Sequence, residues 1–286
     1  MPRFEMEKLP AWSSAPERTV QLAASDCEPL LLPELLALAD DDCRERWASL
    51  SLGYPCSSLG EPALLRELAE GLYGGRLGGG APESKVLGVI PAEGILLAMH
   101  SLLTGEGGEH IVAMAPGYES LSSVARHALR CEVTPWEAQW GSGGQPTFCL
   151  GRLESLLRPE TKLLVVNVPH NPTGWLPTPA EWQALIALCE ERGLWLFSDE
   201  MYRHLERPAH PTLPSACTEY RKAVTLGGLS KAWGLAGLRL GWLASRHEGL
   251  ISRCGELKDY TSICASTPTE CLGLMALRYV ILPIFQ

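Results

Sequence analysis

Lys231 follows Ser230 directly in a stretch, residues 225–242, that reads TLGGLSKAWGLAGLRLGW. Gly227, Gly228, Gly234, Gly237 and Gly241 surround it, and Arg239 comes eight residues later. Glycines tolerate positive φ and let the backbone pass close to something bulky. A lysine held among small and apolar residues is poorly solvated, which frees its amine as a nucleophile of the Schiff-base kind. The planar fork of Arg239 suits a phosphate. The same composition also makes ordinary turns, and the stretch contains neither a G-x-x-x-x-G-K-[ST] phosphate loop nor a G-x-G-x-x-G dinucleotide fingerprint.

Two upstream stretches bear on that choice. Residues 161–168, TKLLVVNV, form an apolar run suited to a strand buried on both faces, and it ends in PHNPTG. Pro169, Pro172 and Gly174 make a rigid turn that presents Asn171 at the carboxyl end of the strand, where open α/β sheets bind ligands. Residues 194–202, LWLFSDEMY, give a second buried strand with Asp199, Glu200 and Tyr202 at its end. With S-K-x-x-G-L-x-G-x-R-x-G-W at 230–242, these stretches resemble, in order, the fold type I pyridoxal-phosphate enzymes of the class I/II aminotransferase family. The resemblance runs from about residue 22 to about residue 274.

The resemblance implies a site residue by residue. Lys231 matches the lysine that holds pyridoxal 5′-phosphate as an internal aldimine and then moves a proton between substrate and cofactor. Asp199 matches the carboxylate that keeps the ring nitrogen protonated, so that the ring acts as electron sink. Asn171 and Tyr202 match donors to the phenolic oxygen, and Tyr118, in PGY at 116–118, matches the ring stacked on the pyridine face. Ser230, Arg239 and the helix start at Ala92, Glu93 and Gly94 match the phosphate site. There the chain departs from the family: it reads P-A-E-G with no hydroxyl, and Glu93 suits a dianion only if its side chain turns away. Tyr54 matches a tyrosine that reaches the partner subunit's phosphate in a homodimer. The implied activity is transfer of an amino group between an amino acid and a 2-oxo acid, within amino acid metabolism. A lyase or cyclase reaction on the same scaffold stays open, since fold does not fix reaction, as does a chain that binds the cofactor with little turnover.

The alternation of strands and helices from 85 to 244 predicts an α/β fold, a mostly parallel sheet sandwiched by helices. Strands are expected at 85–90, 110–115, 131–134, 161–168, 194–197, 224–226 and 240–244. Helices are expected at 28–39, 62–72, 92–103, from 118 to about 129, at 179–192, 248–258 and from 267. Residues 71–80 and 141–144 read as glycine-rich loops. The organisation is an arm and small-domain fragment at 1–45, a large cofactor-binding domain at 46–275, and an apolar tail at 276–286. Where the family continues with a further domain carrying the arginine for the substrate carboxylate, no residue here is assigned that role. The Asp40–Asp42 run reads as a solvated helix end, and His204 and His210 as surface or loop histidines.

Composition sets the outer bounds. Of 286 residues, 46% are hydrophobic, enough for a sizeable core. A net charge of −9 with scattered acids shows no basic footprint for nucleic acid. The ten cysteines are irregularly spaced in apolar surroundings, without C-x-x-C or H-E-x-x-H, so reduced core thiols of a cytoplasmic protein are expected and a metal site is not. Neither a secretory signal nor a membrane span is expected.

Overall fold

The computed structural model describes residues 25, 27–55, 57–208 and 210–279. Most of the expected arm, Cys56 and the tail beyond 279 lie outside the described residues. Helices α1 (Leu32–Leu38), α2 (Asp41–Ala48) and α3 (Pro62–Arg66) precede β1 (Val86–Val89) and α4 (Pro91–Leu102). Then come β2 (His110–Ala115), α5 (Ser120–Ser123), β3 (Glu132–Glu137), the two-residue strands β4 (Gln139–Trp140) and β5 (Pro146–Thr147), α6 (Leu150–Leu156) and β6 (Thr161–Asn167). The chain continues through α7 (Pro179–Glu191), β7 (Trp195–Asp199), α8 (Ala216–Glu219), β8 (Ala223–Gly228), β9 (Gly241–Ala244), α9 (Leu250–Lys258) and α10 (Thr267–Tyr279).

Seven strands form one sheet in the order β1-β9-β8-β7-β6-β2-β3. The pairs β8–β7, β7–β6, β6–β2 and β2–β3 are parallel, and β9 runs antiparallel to both its neighbours. The expected mostly parallel sheet is therefore present, and β1 points the same way as β8. Side-chain alternation along each strand sorts the core. Ile111, Ala113, Leu163, Val165, Phe197 and Leu226 pack with α4 and α9 on one face. Val112, Met114, Leu164, Val166 and Leu196 pack with α6 and α7 on the other. A third cluster joins α1, α3 and α10 to Trp242 and Ala244. Each fully buried Leu or Phe contributes on the order of 2 kcal/mol, so central strands apolar on both faces have no alternative to this layered position.

Several local expectations are revised. The helix expected from 28 starts at Leu32, because residues before it run extended along the Lys231 loop, with the Leu30 N–H donating to the Gly234 carbonyl at 3.3 Å. The helix expected across 62–72 widens after Arg66 into a π-helical turn, Glu67–Leu72. The 141–144 loop is the tip of the β4–β5 hairpin.

The Asp40–Asp42 run stands at a helix end, with Asp41 and Asp42 exposed as expected, and Asp40 and Asp42 also take protein partners. Asp40 caps α2 by accepting the Cys43 N–H at 2.7 Å. Arg278 of α10 donates from Nη1 to Asp42 at 2.9 Å and to Asp40 at 3.4 Å, and from Nε to Glu67 at 3.3 Å, while the Tyr279 hydroxyl donates to Asp40. The hydroxyl of Tyr279 and the N–H of Cys43 together hold the Asp40 carboxyl down at about 2. Asp40, Asp42 and Cys43 form the one His/Cys/Asp/Glu cluster of metal-binding dimensions among the described residues, and the Arg278 guanidinium bridges it. The expected domain boundaries after 45 and 275 fall within α2 and α10.

His204 and His210 both lie in the loop between β7 and α8; His210 is exposed, while His204 is partly buried, packs edge-on against Trp233, and burial brings it down to about 4. The nine described cysteines are all free, and six are buried; Cys149 is exposed. No helix among the described residues is long and apolar enough to cross a membrane.

Candidate active site

Five strands that run the same way, four of them adjacent and β1 set apart by β9, end on one edge, and their following loops meet there. From β8 come Ser230 and Lys231, from β7 Asp199 and Tyr202, from β6 Asn167 and Asn171, from β2 Tyr118, and after β1 the first turn of α4. They enclose a cavity of about 300 Å³ lined by Ser25, Pro91, Ala92, Ile95, Tyr118, Asn167, Asn171, Asp199, Met201, Tyr202, Leu226, Ser230, Lys231, Ala236 and Arg239. Eight of the eleven residues expected from sequence thus line one cavity although they span 148 positions, from 92 to 239.

The Lys231 amine donates to the Ser25 carbonyl at 3.1 Å and hydroxyl at 3.2 Å, and lies 5.8 Å from the centroid of the Tyr202 ring. It is half-buried and hydrogen-bonded, not sealed among apolar side chains as its sequence neighbours imply. The glycines around it let the backbone pass close to something bulky, as expected, and Gly234 holds a positive φ of 63°. A Cβ on Gly227 would stand 2.6 Å from the Trp242 indole, and one on Gly241 would stand 2.5 Å from the Gly227 carbonyl. The bulky neighbour they admit is the chain's own tryptophan and the facing strand.

Asp199 is 4% exposed, and its Oδ1 accepts the Met201 N–H at 3.0 Å. Burial pushes its carboxyl up to about 7, against the pull of that N–H and of the Lys231 charge. Asn167 was missed as a site residue. Its Nδ2 donates to the Asp199 carbonyl at 3.0 Å and its Oδ1 accepts the Asn171 N–H at 2.6 Å, so one side chain braces two others. The signal available was its place on the last turn of an apolar strand. Glu200 faces away from the cavity: its Oε1 accepts from Ser198, Ser215 and Thr225 hydroxyls and the Ala216 N–H, which ties the ends of β7 and β8 together behind Asp199.

At the phosphate end, Ser230 Oγ is buried without a partner among the described residues. Arg239 holds φ 52°, ψ 36°, a left-handed position that costs a non-glycine residue about 1 kcal/mol. Its Nη1 donates to the Ala236 carbonyl at 3.0 Å. Ala92, second residue of α4, has no preceding carbonyl within the helix for its N–H.

Three expected residues, Gly94, Glu93 and Tyr54, do not line the cavity. Gly94 donates its N–H within the helix, to Ile90 at 2.8 Å. A Cβ there would stand 2.9 Å from Val89 and 3.0 Å from Leu226, so it is a helix-on-sheet packing glycine. Glu93 turns away: its carboxylate accepts from Thr261 Oγ1, from the Ser262 N–H at 3.2 Å and from the Ile90 N–H at 3.3 Å. Tyr54 is 86% exposed and away from its own chain's cavity.

The sequence profile of the family Aminotransferase class I and II matches residues 58–277. The chain belongs to the class I and II aminotransferase family. It is 31% identical over 171 residues to capreomycidine synthase of Streptomyces vinaceus, covering 60% of this chain and 43% of that protein. It is 30% identical over 198 residues to kynurenine–oxoglutarate transaminase 1 of Mus musculus, covering 65% and 46%. The chain thus spans less than half the length of these two relatives. Among solved structures, a PLP-dependent aminotransferase from Streptococcus suis superposes with a TM-score of 0.76 at 29% identity, covering 90% of this chain and 65% of that one. The PLP-dependent cyclase OrfR superposes with a TM-score of 0.77 at 25% identity, covering 90% and 64%.

Pyridoxal 5′-phosphate, the cofactor this family implies, fits the residues present. The orphaned Ser230 hydroxyl, Arg239 and the open first turn of α4 form a donor set for a phosphate. Asp199 is an anionic partner for a ring nitrogen, Tyr118 an aromatic face, and Lys231 a primary amine on the same cavity.

Proposed function

We propose that this chain is a pyridoxal-phosphate-dependent aminotransferase that moves an amino group between an amino acid and a 2-oxo acid, with Lys231 as the amine that holds the cofactor. The observation that carries this reading is the convergence of Lys231, Asp199, Tyr202, Asn171, Tyr118, Ser230, Arg239 and Ala92 on one cavity. When bound, pyridoxal phosphate supplies an aldehyde carbon for an amine and a ring that takes up the electrons of a broken Cα–H bond.

The remaining chemistry belongs to the chain. Lys231 Nζ, half-buried and already tethered by hydrogen bonds, holds and returns the proton taken from the substrate Cα. Asp199 holds negative charge at the ring-nitrogen end; a cation there draws its carboxyl, now near 7, down to the ionised form. Asn171 and Tyr202 orient the ring, with Asn167 bracing Asn171. Ser230, Arg239 and the N–H of Ala92 fix the phosphate. The cofactor-binding unit is residues 46–275, and the enzyme works as a homodimer with Tyr54 reaching the partner's phosphate. Free, mostly buried thiols support a cytoplasmic setting.

A second reading, a cyclase or lyase acting on an amino acid, is favoured by the likeness to capreomycidine synthase and to a PLP-dependent cyclase. Incubating the cofactor-loaded protein with a panel of amino acids, with and without 2-oxo acids, separates the two. Transamination gives an oxo acid and a matching new amino acid. Ammonia or a ring product without amino exchange gives the second reading, and no change in the visible spectrum with any amine overturns both.

A further inference from the structure

Beside the cofactor cavity lies another of about 260 Å³, whose lining includes Ile90, Glu93, Arg239, Lys258 and Ser262. Arg239 borders both. The second cavity is where Glu93 has turned. Its carboxylate is held from three sides: by the Ile90 N–H at the start of α4, and by the Thr261 hydroxyl and the Ser262 N–H in the turn after α9. Lys258, the last residue of α9, is fully buried and its amine has no hydrogen-bond partner among the described residues. Burial draws the Lys258 amine down, opposed first by the charge of Glu93, then by Cys264, Glu270 and Asp259. Burial works the other way on Glu93, yet Thr261, Ser262 and the Lys258 charge hold it below its ordinary value. Each side chain's charge thus favours the ionised form of the other, with no hydrogen bond between them.

We propose that Glu93 is a positioning residue for the cofactor phosphate: it straps the first turn of α4 to the 261–262 turn, which sets the Ala92 N–H and Arg239 on one phosphate position. This rests on the cofactor reading above. The strap answers a problem posed by the P-A-E-G sequence. A carboxylate one residue after Ala92 that swung into the cofactor cavity would repel a dianion, with about 1 kcal/mol even at 4 Å in full water and more in a partly dry site. Turned outward and faced by Lys258, it leaves the N-terminal end of α4 its favourable charge. The strap also acts at a distance from the chemistry, since Glu93 is absent from the cofactor cavity's lining. It joins two helices that pack on the same face of the sheet, so loosening it tilts the α4 terminus without opening the core.

The test separates phosphate binding from everything else the site does. Dissociation constants for pyridoxal phosphate and for pyridoxal, which lacks the phosphate, are measured by absorbance titration on the full chain. The proteins are the parent, Glu93→Ala, Glu93→Gln and Thr261→Val, each checked by circular dichroism. Glu93→Ala is expected to weaken pyridoxal phosphate about tenfold, one charge-assisted hydrogen bond's worth, and to leave pyridoxal unchanged. Glu93→Gln, which still accepts from Thr261 and Ser262, stays within about threefold of the parent, and Thr261→Val falls between. If Glu93→Ala does not fold, Thr261→Val alone carries the phosphate-specific loss. An unchanged ratio of the two constants overturns the strap. So does tighter pyridoxal phosphate binding by both Glu93 variants, which would make the carboxylate a simple repeller. A parent protein with no preference for the phosphorylated form overturns the cofactor reading itself.

Discussion

Asp199 carries the largest consequence of any single side chain. Its carboxyl sits near 7 in the folded chain against an ordinary 3.8, so the folded state binds the proton more tightly than the unfolded state. Stability from this group is full below about pH 4 and falls as pH rises through about 7. Asp199→Asn keeps an acceptor for the Met201 N–H and removes that loss. The cofactor-free variant should therefore melt roughly 5 °C higher than the parent at pH 8, with no difference at pH 4. The same variant should lose proton-transfer turnover by at least about a hundredfold. Differential scanning calorimetry at both pH values, beside single-turnover assays, reads the two effects. An Asn variant as active as the parent would remove Asp199 from the site. Which residues meet at the cavity was legible in the sequence wherever a motif fixed the residue on a strand end, as for Asn171, Asp199 and Ser230-Lys231. Gly94 was misassigned because sequence gives the helix start but not which amides are already used inside it, whereas the Glu93 side chain turns away from the cavity, the condition the sequence set for it. Asn167 was missed because its work is done through two neighbours, and Ser25 because it is brought to Lys231 from 206 residues away.

Among the elements, α10 and α4 are the two whose placement matters most. Arg278 locks α10 to α2 and to the π-helical turn through Asp42, Asp40 and Glu67. Arg278→Met should lower stability by about 1 kcal/mol, since Glu67 loses its donor while Asp42 keeps Arg46 and Asp40 keeps the Cys43 N–H and the Tyr279 hydroxyl; a lower urea midpoint at unchanged slope would show it. Arg278 is the first cause that holds the Asp42 carboxyl below its ordinary 3.8, so stability from that pair is present above about pH 4 and lost as pH falls below it, and the difference between parent and Arg278→Met should shrink in acid. For α4, Gly94→Val should cost about 2 kcal/mol or more, because the added methyls meet Val89 and Leu226. A Gly94→Val protein as stable as the parent would show that the α4–sheet contact yields. Sequence periodicity located nearly all the strands to within a few residues, because buried strands need apolar runs. It missed α2, whose residues are mostly polar and whose position is fixed by a contact to residue 278.

For the whole molecule, the parallel sheet gathers its site at one edge, and large apolar residues stand exposed elsewhere: Leu52 at 83%, Tyr54 at 86% and Tyr260 at 90%. The proposed homodimer accounts for them. Leu52→Asp should shift the chain from dimer to monomer in analytical ultracentrifugation and weaken cofactor affinity with it, as Tyr54 leaves the partner's site. The expectation of a dimer came only from family resemblance, since scattered apolar surface residues have no sequence period. Whether Lys231 holds the cofactor is read by borohydride reduction of the pyridoxal-phosphate-loaded protein followed by peptide mass mapping. The account predicts one pyridoxyl group per chain, on Lys231, and none after Lys231→Ala; a pyridoxyl group carried instead on Lys222, Lys162 or Lys258 would contradict it.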